Sequence, residues 1–211
     1  MADLIESKSS YRHGKGRPCT DSYIRPLVVS LCRQNGSKRI LDIGCGNGSL
    51  CRDLADSGFK VTGMEPSSSG AALARELVPG GVFYEKGVYD APAEIKETDF
   101  DTVVSTEVIE HLFRPSALLE FASAKLSANG LLILSTPYHG YFKNLAIALS
   151  DRWDSHHTSE WDGGHIKFWS RRSLTKLLES NGFRVVEFHG VGRLPRLWMS
   201  MILVARKKDQ A

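Results

Sequence analysis

The stretch Asp42-Ile-Gly-Cys-Gly-Asn-Gly48 constrains the fold of this chain most strongly, because it follows a short apolar run at residues 39–43 and precedes a helical pattern. Glycines let the backbone turn sharply between a strand and a helix, and they leave room for a ligand beside the main chain. Such a loop is typical of a parallel α/β sheet that holds a nucleotide-like cofactor at the carboxyl end of its first strand.

The rest of the chain alternates between strand and helix patterns. The predicted strands are residues 39–43, 60–64, 82–85, 102–105, 131–135, 183–188 and 199–205, and the predicted helices are residues 23–33, 50–57, 69–77, 115–126 and 173–180. Asn129-Gly130 is interpreted as the stop signal of the helix at residues 115–126. This alternation predicts a doubly wound, mainly parallel seven-stranded sheet with helices on both faces.

The composition is that of an ordinary globular protein, with 42% hydrophobic and 24% charged residues among 211. We expect a mobile arm at residues 1–22 and a single domain at residues 23–211. The net charge of +3 comes without a dense basic block, so a nucleic-acid partner is not expected. None of the cysteines shows CxxC spacing, and no apolar run is long enough to span a bilayer. These features predict a soluble, cytoplasmic protein that acts on a small molecule, and they leave its oligomeric state open.

Glu65 follows the strand after the glycine loop, at about the twenty-residue spacing at which an acid binds ribose hydroxyls. The dehydrogenase pattern has a third glycine where this chain has Ser49. Asp42 would repel a pyrophosphate, but it could hold an ammonium group or orient the loop. A zwitterionic amino-acid cofactor without a phosphate therefore fits better than a dinucleotide. The plainer alternative is a glycine-rich turn followed by a solvated acid.

The segment Ile40-Leu-Asp-Ile-Gly-Cys-Gly-Asn-Gly-Ser49 resembles the first motif of class I S-adenosylmethionine-dependent methyltransferases, and the similarity extends from about Tyr23 to the C-terminus. The resemblance implies a Rossmann-like fold and S-adenosyl-L-methionine as cofactor. It also implies the cofactor contacts, which are Asp42, Gly44, Cys45, Gly46, Asn47, Glu65, Pro66, Val88, Tyr89, Thr106 and Glu107.

The sequence Glu107-Val-Ile-Glu110-His111 directly follows the fourth predicted strand. In a helical turn, Glu107, Glu110 and His111 would share one face and could bind a divalent cation such as Mg²⁺, Mn²⁺ or Zn²⁺. His165, in a later loop, is the fourth candidate ligand. His111 or His165 is also the candidate base for an acceptor hydroxyl. Alternatively, the acids only stabilise a helix dipole and a histidine only holds the loop.

Two subfamilies share these elements. The ubiquinone-pathway O-methyltransferases are similar in their E-x-x-E-H turn and in a later H-x-x-K-F, which His165-Ile-Lys-Phe168 matches with one residue fewer. The small-RNA 3′-terminal 2′-O-methyltransferases are similar in E-V-I-E-H-L and in Ser135-Thr136-Pro137. Both resemblances imply a divalent metal. We expect methyl transfer to a small acceptor, on a hydroxyl oxygen. RNA 2′-O-methylation and a catalytically silent cofactor-binding module are the alternatives.

An aromatic segment at residues 137–142 follows the fifth predicted strand, and residues 142–153 continue it with Leu145, Ala146, Leu149 and Trp153 at helical spacing. This segment could be an acceptor lid, a surface that touches lipid transiently, or a helix packed on the sheet. Packing combined with a lid is favoured over membrane contact. Trp161 and Trp169 are further candidates for the acceptor pocket.

Overall fold

The structure is a computed structural model that describes residues 20–157, 160, 161 and 163–208. The arm predicted for residues 1–22 lies almost entirely outside these ranges. The strands are β1 (Arg39–Ile43), β2 (Lys60–Met64), β3 (Val82–Tyr84), β4 (Phe100–Thr106), β5 (Leu126–Pro137), β6 (Phe183–Val191) and β7 (Ser200–Lys207). The α-helices are α1 (Asp21–Gln34), α2 (Ser49–Asp56), α3 (Ser68–Leu77), α4 (Ser116–Lys125), α5 (Tyr141–Leu149), α6 (Trp153–His157) and α7 (Arg171–Ser180).

The strands form one seven-stranded sheet in the order β3-β2-β1-β4-β5-β7-β6. β1 pairs in parallel with both β2 and β4, so the sheet begins at its centre and is extended outwards in both directions. β7 is antiparallel to both of its neighbours, β5 and β6. The predicted doubly wound, mainly parallel sheet is therefore confirmed, and its topological switch point lies between β1 and β4.

Two hydrophobic cores cover the two faces of the sheet. α1, α2 and α3 pack on one face, where Ile40 and Ile133 point from the strands. α4 and α7 pack on the other face, where Leu41 and Leu132 point. Successive residues of each central strand thus enter opposite cores, which explains why these strands are apolar at nearly every position.

The interpretation of Asn129-Gly130 as a helix stop is wrong. α4 ends at Lys125, and β5 begins at Leu126 and contains both residues. The register between β4 and β5 shifts between Phe100↔Leu126 and the next pair, because residues 127–130 form an irregular stretch in β5. Asn129 has a φ of 55°, a left-handed conformation that asparagine tolerates better than most residues.

α5 is packed differently from the prediction. Only Lys143 and Ile147 of this helix are buried. Leu145, Leu149 and the following Trp153 are exposed, so the predicted packing of this apolar stripe on the sheet is wrong, whereas its role as a lid stays a prediction. Within the described ranges, no helix combines the length and apolar character needed to cross a membrane.

Candidate active site

The glycine loop connects β1 to α2 at the carboxyl edge of the sheet. Gly44, Gly46 and Gly48 have φ values of 74°, 54° and 82°, which L side chains rarely adopt. The backbone amides of Gly44 and Cys45 both donate to the carbonyl of Met64, at 2.8 and 3.0 Å. The loop is therefore fixed to the end of β2 through its main chain, and only glycines suit its turns.

Gly44 also needs its lack of a side chain for space. A Cβ atom at this position would lie 2.5 Å from a methyl group of Val108, in the segment that follows β4. The cofactor loop and the E-V-I-E-H segment are thus in direct contact. Because of this contact, a ligand held by the glycine loop would lie next to the residues that follow β4.

Glu65 is the acid at the end of β2, and it is only 5% exposed. One carboxylate oxygen accepts a hydrogen bond from the amide of Gly46 at 3.0 Å, and the other accepts from the amide of Ser67 at 2.9 Å. The predicted ribose-binding acid therefore also holds the glycine loop in place.

Asp42 lies at the start of the loop motif and is only 1% exposed. The thiol of Cys51 donates to one carboxylate oxygen at 3.2 Å, whereas the other oxygen has no partner among the described residues. Burial is the main cause that raises the pKa of Asp42 to about 7. Of the two sequence interpretations, this burial favours orientation of the loop over direct contact with an ammonium group.

The candidate adenine-side residues lie on a neighbouring loop. Pro66 is exposed, and a Cβ atom at Gly87 would lie 3.4 Å from its ring. Val88 is buried, and Tyr89 is 41% exposed with its hydroxyl accepting from the amide of Arg114. These residues follow β2 and β3, which run parallel to β1, so they lie at the same edge of the sheet as the glycine loop.

Glu107 does not take part in a helical turn. Its φ is 55°, and the short 3-10 turn that follows covers only Ile109–His111. The hydroxyls of Ser135 and Ser200 donate to its two carboxylate oxygens, at 2.9 and 3.2 Å. The expectation that Glu107 shares one helical face with Glu110 and His111 is therefore wrong, because the left-handed residue turns its side chain towards the sheet.

Glu110 is fully buried below this turn. The hydroxyl of Thr136 donates to one carboxylate oxygen at 3.0 Å, and the other oxygen has no partner in the described parts of the chain. Burial, and then the charge of Glu107, raise the pKa of Glu110 well above its usual range. An unpartnered carboxylate oxygen in such a place is costly unless a cation or a proton meets it.

His111 and His165 face this carboxylate. Their ring centroids are 4.9 Å apart, and Nδ1 of His111 lies 3.2 Å from the carbonyl oxygen of Gly164. The amides of Ile166 and Lys167 both donate to the backbone carbonyl of Glu110, so this later loop does return to the same edge. One ligand atom each from Glu110, His111 and His165 lies within 4.8 Å of the others.

These groups suit a divalent cation, with three of the four predicted ligands. Burial lowers the pKa of His111, and burial together with the charge of His111 lowers that of His165 to about 4. Both imidazoles are therefore neutral near pH 7, as metal ligation or proton acceptance requires. Glu107 does not belong to this set.

A second group of side chains, which the sequence did not predict, lies near the first. The ring of His139, two residues after β5, lies 5.6 Å from the ring of His157 and 5.0 Å from that of Phe168. His156 is 5.0 Å from His157. Three histidines near the aromatic segment were the only signal. Trp169 packs against the core on the α4 side, whereas Trp161 is 49% exposed.

The strand order, the glycine loop after β1 and the acid after β2 together define the Rossmann-like class of methyltransferases. The chain belongs to the methyltransferase domain family, which matches residues 17–188. It is an S-adenosyl-L-methionine-dependent enzyme, as the resemblance predicted. A ubiquinone biosynthesis O-methyltransferase of Bradyrhizobium diazoefficiens is 34% identical in an alignment of 187 residues that covers 82% of this chain and 72% of that protein.

Solved structures show the same fold. The magnesium protoporphyrin IX methyltransferase of Synechocystis PCC 6803 with bound SAH superimposes with a TM-score of 0.66 at 21% identity, over 87% of this chain and 82% of that chain. The methyltransferase domain of bacterial CtHen1-CN gives a TM-score of 0.65 at 22% identity, over 86% of this chain and 96% of that chain. At these identities the comparisons establish the architecture alone.

Proposed function

We propose that this enzyme methylates a hydroxyl oxygen of a small aromatic acceptor, phenolic or catecholic in type, and that residues 23–211 are its single catalytic domain. The observation that carries the proposal is the cluster of Glu110, His111 and His165 next to the glycine loop. A carboxylate oxygen beside two neutral imidazoles can bind a hydroxyl group, and an imidazole nitrogen can accept its proton. The O-methyltransferase name of the relatives supports the same chemistry.

In this proposal the glycine loop and Glu65 bind the cofactor, so that its methyl group lies beside the residues after β4. His111 or His165 accepts the proton of the acceptor hydroxyl, because both are neutral at physiological pH. The other groups hold the oxygen in line with the methyl carbon, which supplies much of the rate enhancement in such transfers. α5 and α6, with His139 and Phe168, would exclude water from the site.

As the alternative to free histidine bases, we further propose that Glu110, His111 and His165 hold a divalent cation. Imidazole nitrogens with one carboxylate oxygen favour Mn²⁺ or Zn²⁺, although Mg²⁺ remains compatible with the oxygen ligands of a catecholic acceptor. When bound, such a cation supplies a positive charge that lowers the pKa of the acceptor hydroxyl. The orphaned oxygen of Glu110 supports this assignment.

The test is methyl transfer from labelled S-adenosyl-L-methionine to a simple catechol, with the dimethyl ether of that catechol as the blank and a short RNA as competitor. Mass spectrometry should locate the label on a single catechol oxygen. Transfer to the RNA 2′-hydroxyl instead would favour the nucleic-acid alternative. Binding of the cofactor without transfer to any acceptor would favour the catalytically silent module.

We also propose that the outward face of α5 touches a lipid surface transiently. Tyr141 is 74% exposed, Leu145 41% and Leu149 79%, which is unusual for neighbouring apolar residues on one helix. The guanidinium of Arg196 lies 5.4 Å from the ring centroid of Phe142, so positive charge borders this face.

Cys32, Cys45 and Cys51 are free and buried, which supports a reducing compartment and hence the cytoplasm.

A further inference from the structure

Lys143 is one of only two buried residues of α5, while aromatic and aliphatic side chains of the same helix are exposed. Its side chain is buried to 6% exposure, and Nζ donates to the carbonyl oxygen of Met199 at 3.2 Å. Among the described residues no carboxylate lies within ion-pair distance of it. Burying an ammonium group with a single carbonyl partner is costly, so its position calls for an anionic partner.

The surroundings of Met199 explain where this ammonium lies. The next residue, Ser200, donates its hydroxyl to Glu107, which places Lys143 near the end of β4. A Cβ atom at Gly192 would lie 2.8 Å from the side chain of Met199, so the segment that continues into Arg193 packs against Met199. Lys143 is therefore near both Glu107 and Arg193, and the charges of both act on it.

The charges near Lys143 do not balance within the described part of the chain. Burial, and then the charge of Arg193, lower the pKa of Lys143 to about 8, against an opposite effect of Glu107. Both oxygens of Glu107 already accept hydrogen bonds from serines. Two cations thus lie near one acid, so this region carries an excess of positive charge within the described part of the chain.

The charge of Lys143 also acts on the histidines that lie towards the candidate catalytic cluster. After the effect of burial, the charge of Lys143 lowers the pKa of His139 and of His156, both to about 4. It also contributes to lowering the pKa of His165. Lys143 is therefore close to the imidazoles of the α5–α6 segment and to one member of the cluster that faces the acceptor.

We propose that Lys143, with Arg193 beside it, binds an anionic group of the acceptor, a carboxylate carried on the same ring as the methylated hydroxyl. The inference rests on the proposed function, which places the acceptor beside Glu110, His111 and His165. It adds that this enzyme selects acidic acceptors over neutral ones of the same shape. Charge-assisted hydrogen bonds to a buried ammonium and a guanidinium supply that selection.

The experiment compares two acceptors that differ only in charge, 3,4-dihydroxybenzoate and 3,4-dihydroxybenzamide. Both are tested for methyl transfer, and calorimetry measures the binding of each to the enzyme saturated with S-adenosylhomocysteine. The variants are Lys143→Met and Arg193→Gln. Lys60→Met, at an exposed position at the start of β2, is the matched control. Arg193 is exposed, so its variant is expected to fold even if Lys143→Met does not.

The native enzyme should favour the benzoate by about tenfold or more in kcat/KM and in affinity, which is the size of one charge-assisted hydrogen bond. Each variant should lose most of that preference while its values for the benzamide stay unchanged, and Lys60→Met should keep the preference. An equal loss of kcat/KM and affinity for both acceptors would overturn the proposal. A structural role of Lys143, or a role as a base, would not distinguish the two acceptors. If neither acceptor is methylated, the proposed function fails, and the binding preference still decides this inference.

Discussion

Gly44 shows how one residue links the two halves of the site. It combines a left-handed backbone with a contact that leaves no room for a methyl group, because Val108 occupies that space. Gly58 also has a positive φ, of 89°, but nothing lies within 4 Å of its Cβ position. Replacing each glycine in turn therefore distinguishes two free-energy costs. Backbone strain arises at both positions, whereas displacement of the segment after β4 arises only at Gly44.

We predict that Gly44→Ala lowers the affinity for S-adenosylhomocysteine by tenfold or more, whereas Gly58→Ala leaves it unchanged. Both variants carry a backbone cost of about 1–2 kcal/mol in stability. Only Gly44→Ala must also move Val108 away from the loop. Calorimetry of ligand binding and the ligand-induced rise in Tm measure the effect. Equal affinities for the two variants would contradict the placement of the cofactor at this loop.

The buried carboxyl group of Asp42 makes the stability of the folded protein depend on pH. Burial raises its pKa to about 7 in the folded protein, whereas an unfolded chain has an aspartate pKa of about 3.9. The folded state therefore binds more protons between these values, and the free energy of unfolding falls as pH rises through this window. Over about three pKa units the loss amounts to about 4 kcal/mol.

We predict that Asp42→Asn weakens this pH dependence, because an amide can still accept from Cys51 but does not ionise. Urea unfolding of the cofactor-free protein at pH 5 and pH 8 gives the comparison. The native protein should lose more stability between these pH values than the variant. Asp56→Asn, an exposed acid at the end of α2, should behave like the native protein. A native-like pH dependence in Asp42→Asn would assign the effect to other groups.

At the scale of elements, the site depends on two segments that are distant in sequence. The turn after β4 supplies Glu110 and His111, and the loop before α7 supplies His165. Backbone hydrogen bonds from Ile166 and Lys167 to the carbonyl of Glu110 hold the two segments together. The side chain of His165 can therefore be removed without breaking the connection that positions its loop.

We predict that His165→Ala lowers methyl transfer at least a hundredfold while the affinity for S-adenosylhomocysteine stays unchanged. A general base contributes about 10²–10⁴-fold to such a rate, and a lost metal ligand acts in the same direction. Exhaustive chelation should have the same effect on the native enzyme, with recovery on adding Mn²⁺, Zn²⁺ or Mg²⁺. His189→Ala on β6 is the control. Activity that persists through chelation would exclude the metal and leave the histidines as bases.

At the scale of the whole molecule, one surface differs from the rest. The exposed face of α5 continues into Trp153, which is 53% exposed, and Leu194 on the β6–β7 connection is 73% exposed. Arg152 lies between α5 and α6, the guanidinium of Arg196 lies over the ring of Phe142, and both arginines are exposed. A combination of apolar and basic side chains favours an anionic lipid surface. The apolar side chains can insert at the acyl boundary, and the basic side chains are attracted to the anionic headgroups.

We predict that the protein sediments with phosphatidylglycerol vesicles and that Leu149→Glu reduces the bound fraction several-fold. A charge placed at the centre of the apolar face removes buried area and adds repulsion from the lipid phosphates. Leu77→Glu, at a partly exposed position on α3, should bind as the native protein does. The folded state should be unaffected, because Leu149 is 79% exposed. Equal binding of both variants would remove lipid as the partner of this face.

The parts of the protein that depend on local chemistry could be predicted from the amino-acid sequence. The bounds of β1 and β2 agree with the predicted residues 39–43 and 60–64, because apolar runs between glycine-containing turns are short-range signals. The glycine loop and Glu65 were recognisable for the same reason. Their positions at a strand end are set by neighbours in the chain, and parallel strands bring such ends to one edge of a sheet.

Which side chains meet could not be predicted in this way, because it depends on the packing of the folded chain. Asn129-Gly130 looks like a helix stop, but pairing with β4 draws it into β5. Glu107 has the spacing of a third ligand, yet serines from β5 and β7 bind its carboxylate instead. Lys143 is buried on a helix whose apolar residues, except Ile147, are exposed, which departs from the usual pattern. Each outcome depends on contacts between residues far apart in the chain, and spacing along one segment carries no information about them.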